Sequence, residues 1–427
     1  DEVEEEGDRE DADGGGDAAG ASEEDEGRMT SERSGSDADS KSSEVSEHTP
    51  EGGESSTGWD QEYYPTSQEE RDFERSSDLS DWKEEDNDKD ANLWTERDER
   101  KLARALRQDH GRGRRVKRNQ GFDCRPDILV IGGSNLTKDS AVVQSFSASE
   151  RRWRTEMACG FRRDCAAACS LRGKVYLLGG IEDDTPLAQV ESFDIRTGRW
   201  SLEAPLPYER SMLAAVATGG RIYSIGGIGG PGGHTLKAVD SMDPREGKWR
   251  GEPDMISARG MCAAAVLGGK IYASGGIDWS AEQIRGTGGC CTLKTLESFD
   301  PRLPVKRWLP EATMDWPRAA HAMVACRGRL VAVGGMGQET WALSQVESLR
   351  PSSAEGWEAE PSMTQARQGV CAVSLLGAVH AFGGSSILSR PLKTAEFFVP
   401  GSKKAWAPLP DMPFARVSAA AAVTLRI

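Results

Sequence analysis

A pair of adjacent glycines recurs six times in one register between residues 127 and 427, at Gly132-Gly133, Gly179-Gly180, Gly226-Gly227, Gly275-Gly276, Gly334-Gly335 and Gly383-Gly384. Six tryptophans interleave with them: Trp153, Trp200, Trp249, Trp308, Trp357 and Trp406. From each of the first five tryptophans to the next glycine pair the offset is 26 residues, whereas from glycine pair to tryptophan it runs 21, 21, 23, 33, 23 and 23. One half of the repeat is therefore rigid and the other carries insertions. An arginine stands ten residues after every tryptophan: Arg163, Arg210, Arg259, Arg318, Arg367 and Arg416. Self-similarity at such a period means stacked or radial supersecondary units, because no single unit can bury its own apolar face.

The segments between these marks read as strands. Lys174-Val175-Tyr176-Leu177-Leu178 precedes one glycine pair, and an alternating run, Val190-Glu191-Ser192-Phe193, follows the variable loop. Each repeat thus supplies four strands: A after the arginine, B ending at the glycine pair, C of the Val-Glu-Ser-Phe type and D at the tryptophan. Strand A is rich in small residues, as in Ala166 to Ala168, Ala263 to Ala265 and Ala419 to Ala422. Sheets arranged radially crowd at their axis and leave room there only for small side chains. Each tryptophan can bury about 150–250 Å² between neighbouring sheets. The expected fold is an all-β, six-bladed propeller. Residues 127–153 begin at strand B, and the chain ends after a strand A with no glycine pair to follow. The ring should therefore be latched by pairing Ala419–Ile427 with residues 127–158, which leaves no open sheet edge.

The residues ahead of the repeats cannot belong to such a core. Residues 1–100 carry 37 acidic and 10 basic side chains and only five Leu, Ile, Val or Phe. That composition does not offset chain entropy, so a disordered acidic tail is expected over residues 1–94. Residues 101–120 reverse the sign, with eight bases against one acid. Thr95 and Asp98 form a capping-box pattern for a short helix over 96–108, followed by the basic run Arg112–Arg118 in a linker spanning 95–120. The propeller is assigned to 121–427. No apolar run approaches membrane-helix length, and Asp1 to Glu6 is no signal peptide. Nine scattered cysteines read as reduced thiols. A cytoplasmic setting is expected, and the basic run admits a nuclear one.

Here the residues resemble the kelch family, whose marks are this glycine pair, this tryptophan and often a tyrosine three residues before the glycines. Tyr176, Tyr223 and Tyr272 match, whereas Leu129, Val331 and His380 do not. The propeller resembles that of kelch-like ubiquitin-ligase adaptors. This resemblance implies that arginines at this register contact acidic peptide segments of captured proteins. No BTB, BACK or F-box pattern accompanies it. Two further kelch activities stand as alternatives: a sugar mutarotase-like enzyme, needing a Glu, Arg and His cluster at the funnel mouth, and actin or cytoskeleton binding.

Catalysis is not expected. The propeller offers three histidines, His234, His321 and His380, in three different registers, and Cys290-Cys291 has no second Cys or His motif. Oxidase chemistry would pair histidines with tyrosines, of which the repeat leaves only Tyr208. No phosphate-binding glycine loop with Lys-Ser or Lys-Thr is present. We expect no metal and no cofactor. The expected partner is a protein, held through an acidic or polar segment, with neither membrane nor nucleic acid involved.

The start of strand A and the end of strand B share one face, so the six arginines and the variable B–C loops converge there. The candidate contacts are Arg163, Arg210, Arg259, Arg318, Arg367 and Arg416, with Trp279, Trp341 and Arg390 on the loops. Two readings of the arginines stand open. They grip acidic side chains bidentately, or they pair internally with the acid near the start of strand C: Glu191, Asp240, Glu297, Glu347 and Glu396. The sixth repeat has Gln144 there, which would leave Arg416 most available. Trp279 and Trp341 read equally as interface anchors or as residues tucking their own loops down.

Overall fold

The computed structural model describes residues 125–134, 141–156, 159–160, 162–230, 233–279, 291–386, 390–402 and 404–426. All of them belong to the second of two units, Glu85–Ile427. The acidic tail, the helix and linker over 95–120, Cys124, Lys138, Arg285 and Cys290 lie outside the described residues.

Among those residues, six four-stranded antiparallel sheets each run D-C-B-A from the outside in. Blade 2, for instance, consists of Ala167–Leu171, Lys174–Leu178, Val190–Asp194 and Arg199–Leu202. Blades 3 to 6 repeat this order along the chain, with A strands Ala214–Thr218, Ala263–Leu267, Ala322–Cys326 and Cys371–Leu375. Blade 1 takes strands B to D from Arg125–Ile131, Gln144–Ser147 and Arg152–Thr155, and strand A from Ala420–Arg426 at the other end of the chain. Arg125–Ile131 pairs with Ala420–Arg426 over seven residues, Ile128 opposite Val423. Each A strand contacts the A strands of the two neighbouring sheets, Ala420–Arg426 touching both Ala167–Leu171 and Cys371–Leu375, so the inner strands close a circle. No helix among the described residues is long and apolar enough to cross a membrane.

Burial follows the radial order. The B strands are buried almost throughout, as in Lys174–Leu178. The A strands alternate buried with half-buried residues, and the D strands are largely exposed. There is no single core: six apolar clusters fill the six gaps between neighbouring sheets. The repeat tryptophans bind sheet to sheet. The indole N–H groups of Trp249, Trp308, Trp357, Trp406 and Trp153 donate to carbonyls at the end of the preceding blade, at 2.8 to 3.0 Å.

The glycine pairs are needed for close approach as well as for turning. A Cβ at Gly334, where φ is +59°, would stand 2.6 Å from the carbonyl oxygen of Arg367 in the next blade. That carbonyl already accepts from the N–H of Gly335, and the same bond recurs at all six blade junctions at 2.7 to 3.2 Å. The seven described cysteines are free thiols. Burial pushes Cys169 and Cys371 up to about 12, which leaves them protonated and unreactive.

Candidate functional site

The B–C loops and the D–A links leave the ring on one face, and the A–B and C–D turns on the other. The arginines of the repeat lie beneath the loop face. All six are at most 1 % exposed. Five pair with the strand C acid of their own blade, Arg163 with Glu191, Arg210 with Asp240, Arg259 with Glu297, Arg318 with Glu347 and Arg367 with Glu396, at 2.5 to 2.9 Å. Each of these five also donates through Nη1 to the carbonyl of the first glycine of its own pair, at 2.7 to 3.5 Å. Burial pushes the guanidinium groups of Arg163, Arg318 and Arg367 below their ordinary value, and the carboxylate beside each pulls it back.

This corrects the expectation that these arginines face a ligand. Of the two readings, the internal pair is the one the molecule adopts. An arginine grips its own glycine turn with its side chain while its carbonyl receives the preceding blade's glycine N–H, so it stitches two blades together. Arg416 is no more available than the rest. Its guanidinium donates to the carbonyls of Gly132 and Val142, and Gln144, with its amide oxygen turned to the cation, accepts from Nη2 at 3.1 Å.

The strand C acids have a second task. Glu297 accepts from the backbone N–H groups of Ile256 and Ser257, Glu347 from Asp315, and Glu396 from Thr364. Each acid thereby fixes the D–A link leading into its own blade. Those links and the B–C loops beside them carry side chains to the surface. Trp316 is 47 % exposed, Trp279 39 %, Trp341 49 % and Ile256 52 %. By contrast, the repeat tryptophans Trp308, Trp357 and Trp406 are buried. All four exposed residues sit on the loop face of blades 4 and 5. Ile256 and Trp316 lie on the links into those blades, and Trp279 and Trp341 on their B–C loops.

Their backbones are held. The N–H of Trp279 donates to Thr235 Oγ1 of the blade 3 hairpin at 2.8 Å. Trp341 is followed by buried Ala342 and Leu343, and the N–H of Leu343 donates to the Gly335 carbonyl at 2.8 Å. Neither loop tucks its indole out of solvent. Arg390 is exposed on the B–C loop of blade 6, apart from this group. Sequence reasoning passed over Trp316 although its signal was present, an aromatic outside the repeat register two residues ahead of a repeat arginine.

At the axis, the loop-face end is bound by a second device that no sequence mark announced. Cys165, Met212, Met261, Ala320, Gly369 and Ser418, each two residues after a repeat arginine, all take positive φ. Hydrogen bonds pass between them from blade to blade: Met212 to Cys165, Met261 to Met212, Ala320 to Met261, Gly369 to Ala320 and Ser418 to Gly369, at 2.8 to 2.9 Å. The left-handed conformation is costly for bulky residues, and this girdle of bonds maintains it. Burial pushes the Cys165 thiol up to about 11, with Asp164 adding to the effect.

His321 stands one residue ahead of strand A of blade 5, its Nε2 2.8 Å from Ser274 Oγ. His380 lies in strand B between the rings of Phe382 and Phe397. Both are buried, and both are pushed down, His380 to about 4 and His321 well below the ordinary value. His234 is on an exposed hairpin of blade 3. Among the described residues no group of three or more His, Cys, Asp or Glu is placed to hold a metal ion.

The kelch motif family model matches residues 162–207, 209–256 and 258–314, which are blades 2, 3 and 4 with their links. Among solved structures, "Structure of YjhT" is similar to this chain with a TM-score of 0.54 at 14 % identity, over 63 % of this chain and 91 % of that one, a likeness of fold. No curated protein sequence matches the chain. With the motif matched in three consecutive blades and the same stitches recurring around the ring, the chain is a kelch-repeat propeller protein.

Proposed function

We propose that this protein is a non-enzymatic interaction module that holds another protein against the loop face of its propeller. The observation that carries this reading is the grouping of Trp279, Trp316 and Trp341, each exposed by 39 to 49 %, on two adjacent blades with their backbones fixed from beneath. Large aromatics held at low entropy cost are the residues that dominate interface energetics. A repeat-built ring supplies the rigid support, and loops that depart from the repeat supply specificity. The repeat arginines contribute as the frame of this surface rather than as its contacts. Service as a substrate-recognition adaptor for a cullin-type ubiquitin ligase is the finer form of the same reading.

The test is affinity capture with the full chain and with a W279A/W316A/W341A variant of equal thermal stability. Proteins retained by the first and lost by the second support the reading. An identical captured set from both counts against it. Presence of a cullin subunit in the tryptophan-dependent set decides the adaptor form.

A further inference from the structure

We infer that the segment captured on the loop face of blades 4 and 5 is basic, a run of arginine or lysine side chains that lie over Trp279, Trp316 and Trp341 and meet a rim of carboxylates. This rests on the reading of that face as the binding surface and specifies its partner's chemistry. The expectation of an acidic partner drew on six arginines, and those are enclosed with carboxylates and carbonyls.

What the same loops and links expose has the opposite sign. Asp254, Asp315 and Glu339 are exposed beside the tryptophans and Asp278 is half-exposed, against Lys294 as the one base described in this sector. A guanidinium or ammonium group over an indole face is attracted by the ring quadrupole, and Arg also stacks on it. The molecule displays this geometry at the equivalent position of blade 3. Tyr208, two residues ahead of Arg210, has that guanidinium carbon 4.2 Å from its ring centroid. Trp316 holds the same register ahead of Arg318, but Arg318 is fully buried against Glu347 while Trp316 is 47 % exposed.

The opposite face of the ring does not compete for such a segment. The turns of the opposite face expose Arg196, Arg199, Lys248, Arg307 and Arg350, whereas the loop face beyond this sector mixes Asp183, Asp184 and Glu209 with Arg162, Lys237, Arg390 and Lys393. A basic segment is thus disfavoured at the turn face, and on the loop face the carboxylates of blades 4 and 5 draw it to the aromatic surface.

The probes are three fluorescein-labelled peptides of about twelve residues on one Gly/Ser/Leu framework, carrying Arg, Gln or Glu at the same alternate positions. Fluorescence polarisation with the full chain gives their affinities for the native protein, for D315K/E339K and for W279A/W316A/W341A, at about 50 and about 300 mM salt. The Arg peptide is expected to bind at least about tenfold tighter than the Gln peptide, to lose at least about tenfold in either variant and to weaken at high salt. Binding of the Arg peptide that both variants leave unchanged overturns the inference, since it then belongs to the acidic residues 1–100. A Glu or Gln peptide that binds tightest and is lost in the tryptophan variant also overturns it, while leaving the loop face as a protein-binding surface. Failure of the capture experiment, with no tryptophan-dependent partner, is the separate result that removes that surface.

Discussion

Glu347 receives Arg318 Nη2 on one carboxylate oxygen at 2.6 Å and the backbone N–H of Asp315 on the other at 2.8 Å. A single buried acid therefore neutralises the blade's stitching arginine and fixes the link that presents Trp316. Removing one partner of a buried pair leaves the other charge uncompensated, at about 3–5 kcal/mol. E347L is expected to cost that much in urea unfolding, and R318M about the same. The double variant should cost clearly less than their sum, because it buries no orphaned charge. Additive losses would show that the two residues act separately.

Gly334 and Gly268 both have φ near +59°, yet a Cβ on Gly334 meets the Arg367 carbonyl at 2.6 Å and one on Gly268 meets nothing within 4 Å. G268A should therefore cost only the left-handed penalty, about 1–2 kcal/mol. G334A should cost about 3–5 kcal/mol, since it adds a clash between blades to the same penalty. Equal urea midpoints for the two would remove the close-approach account of the glycine pair.

The pairing of Arg125–Ile131 with Ala420–Arg426 is what closes the circle. A chain ending at Ser418 exposes the edge of blade 1 and withdraws Ala420 and Ala422 from the cluster shared with blade 2. It is expected to unfold as a whole at a markedly lower temperature, not to lose blade 1 alone. A synthetic peptide covering residues 417–427 should raise its melting temperature in a concentration-dependent way. A truncated ring with an unchanged transition would refute the latch.

His380 is held neutral in the stack of Phe382 and Phe397, pushed down by burial to about 4. The unfolded chain binds a proton there as pH falls through about 6.5, while the folded one does not until near 4. The unfolded state thus carries more protons in that window, and stability falls with pH at about 1.4 kcal/mol per unit, for about 3 kcal/mol in all. His321, pushed down further, acts in the same direction. H380F, which keeps the ring stack, should lose less stability between pH 7 and pH 4.5 than the native chain does. Parallel losses in urea midpoint would mean that His380 is not the group titrating.

How much of this was legible beforehand differs from element to element. The ring, its strand order and its latch follow from Gly-Gly, Trp and the small-residue strands, because each mark answers a local requirement: positive φ, inter-sheet filling, or crowding at an axis. The arginines were visible at fixed spacing, but spacing alone left two readings open. Arg259 and Glu297 are 38 residues apart and meet only once the blade has folded. The girdle through Met212 and Met261 was invisible, since the left-handed conformation falls on residues that do not ordinarily choose it.

The sequence by itself determined the repeat, its six registers and which residues the repeat leaves over, Trp279 and Trp341 among them. Only the tertiary structure decided that the arginines are enclosed and that Trp316 joins the exposed aromatics. The physical reason is that burial and charge compensation belong to neighbours brought together by closure of the sheets, whereas periodicity belongs to the chain.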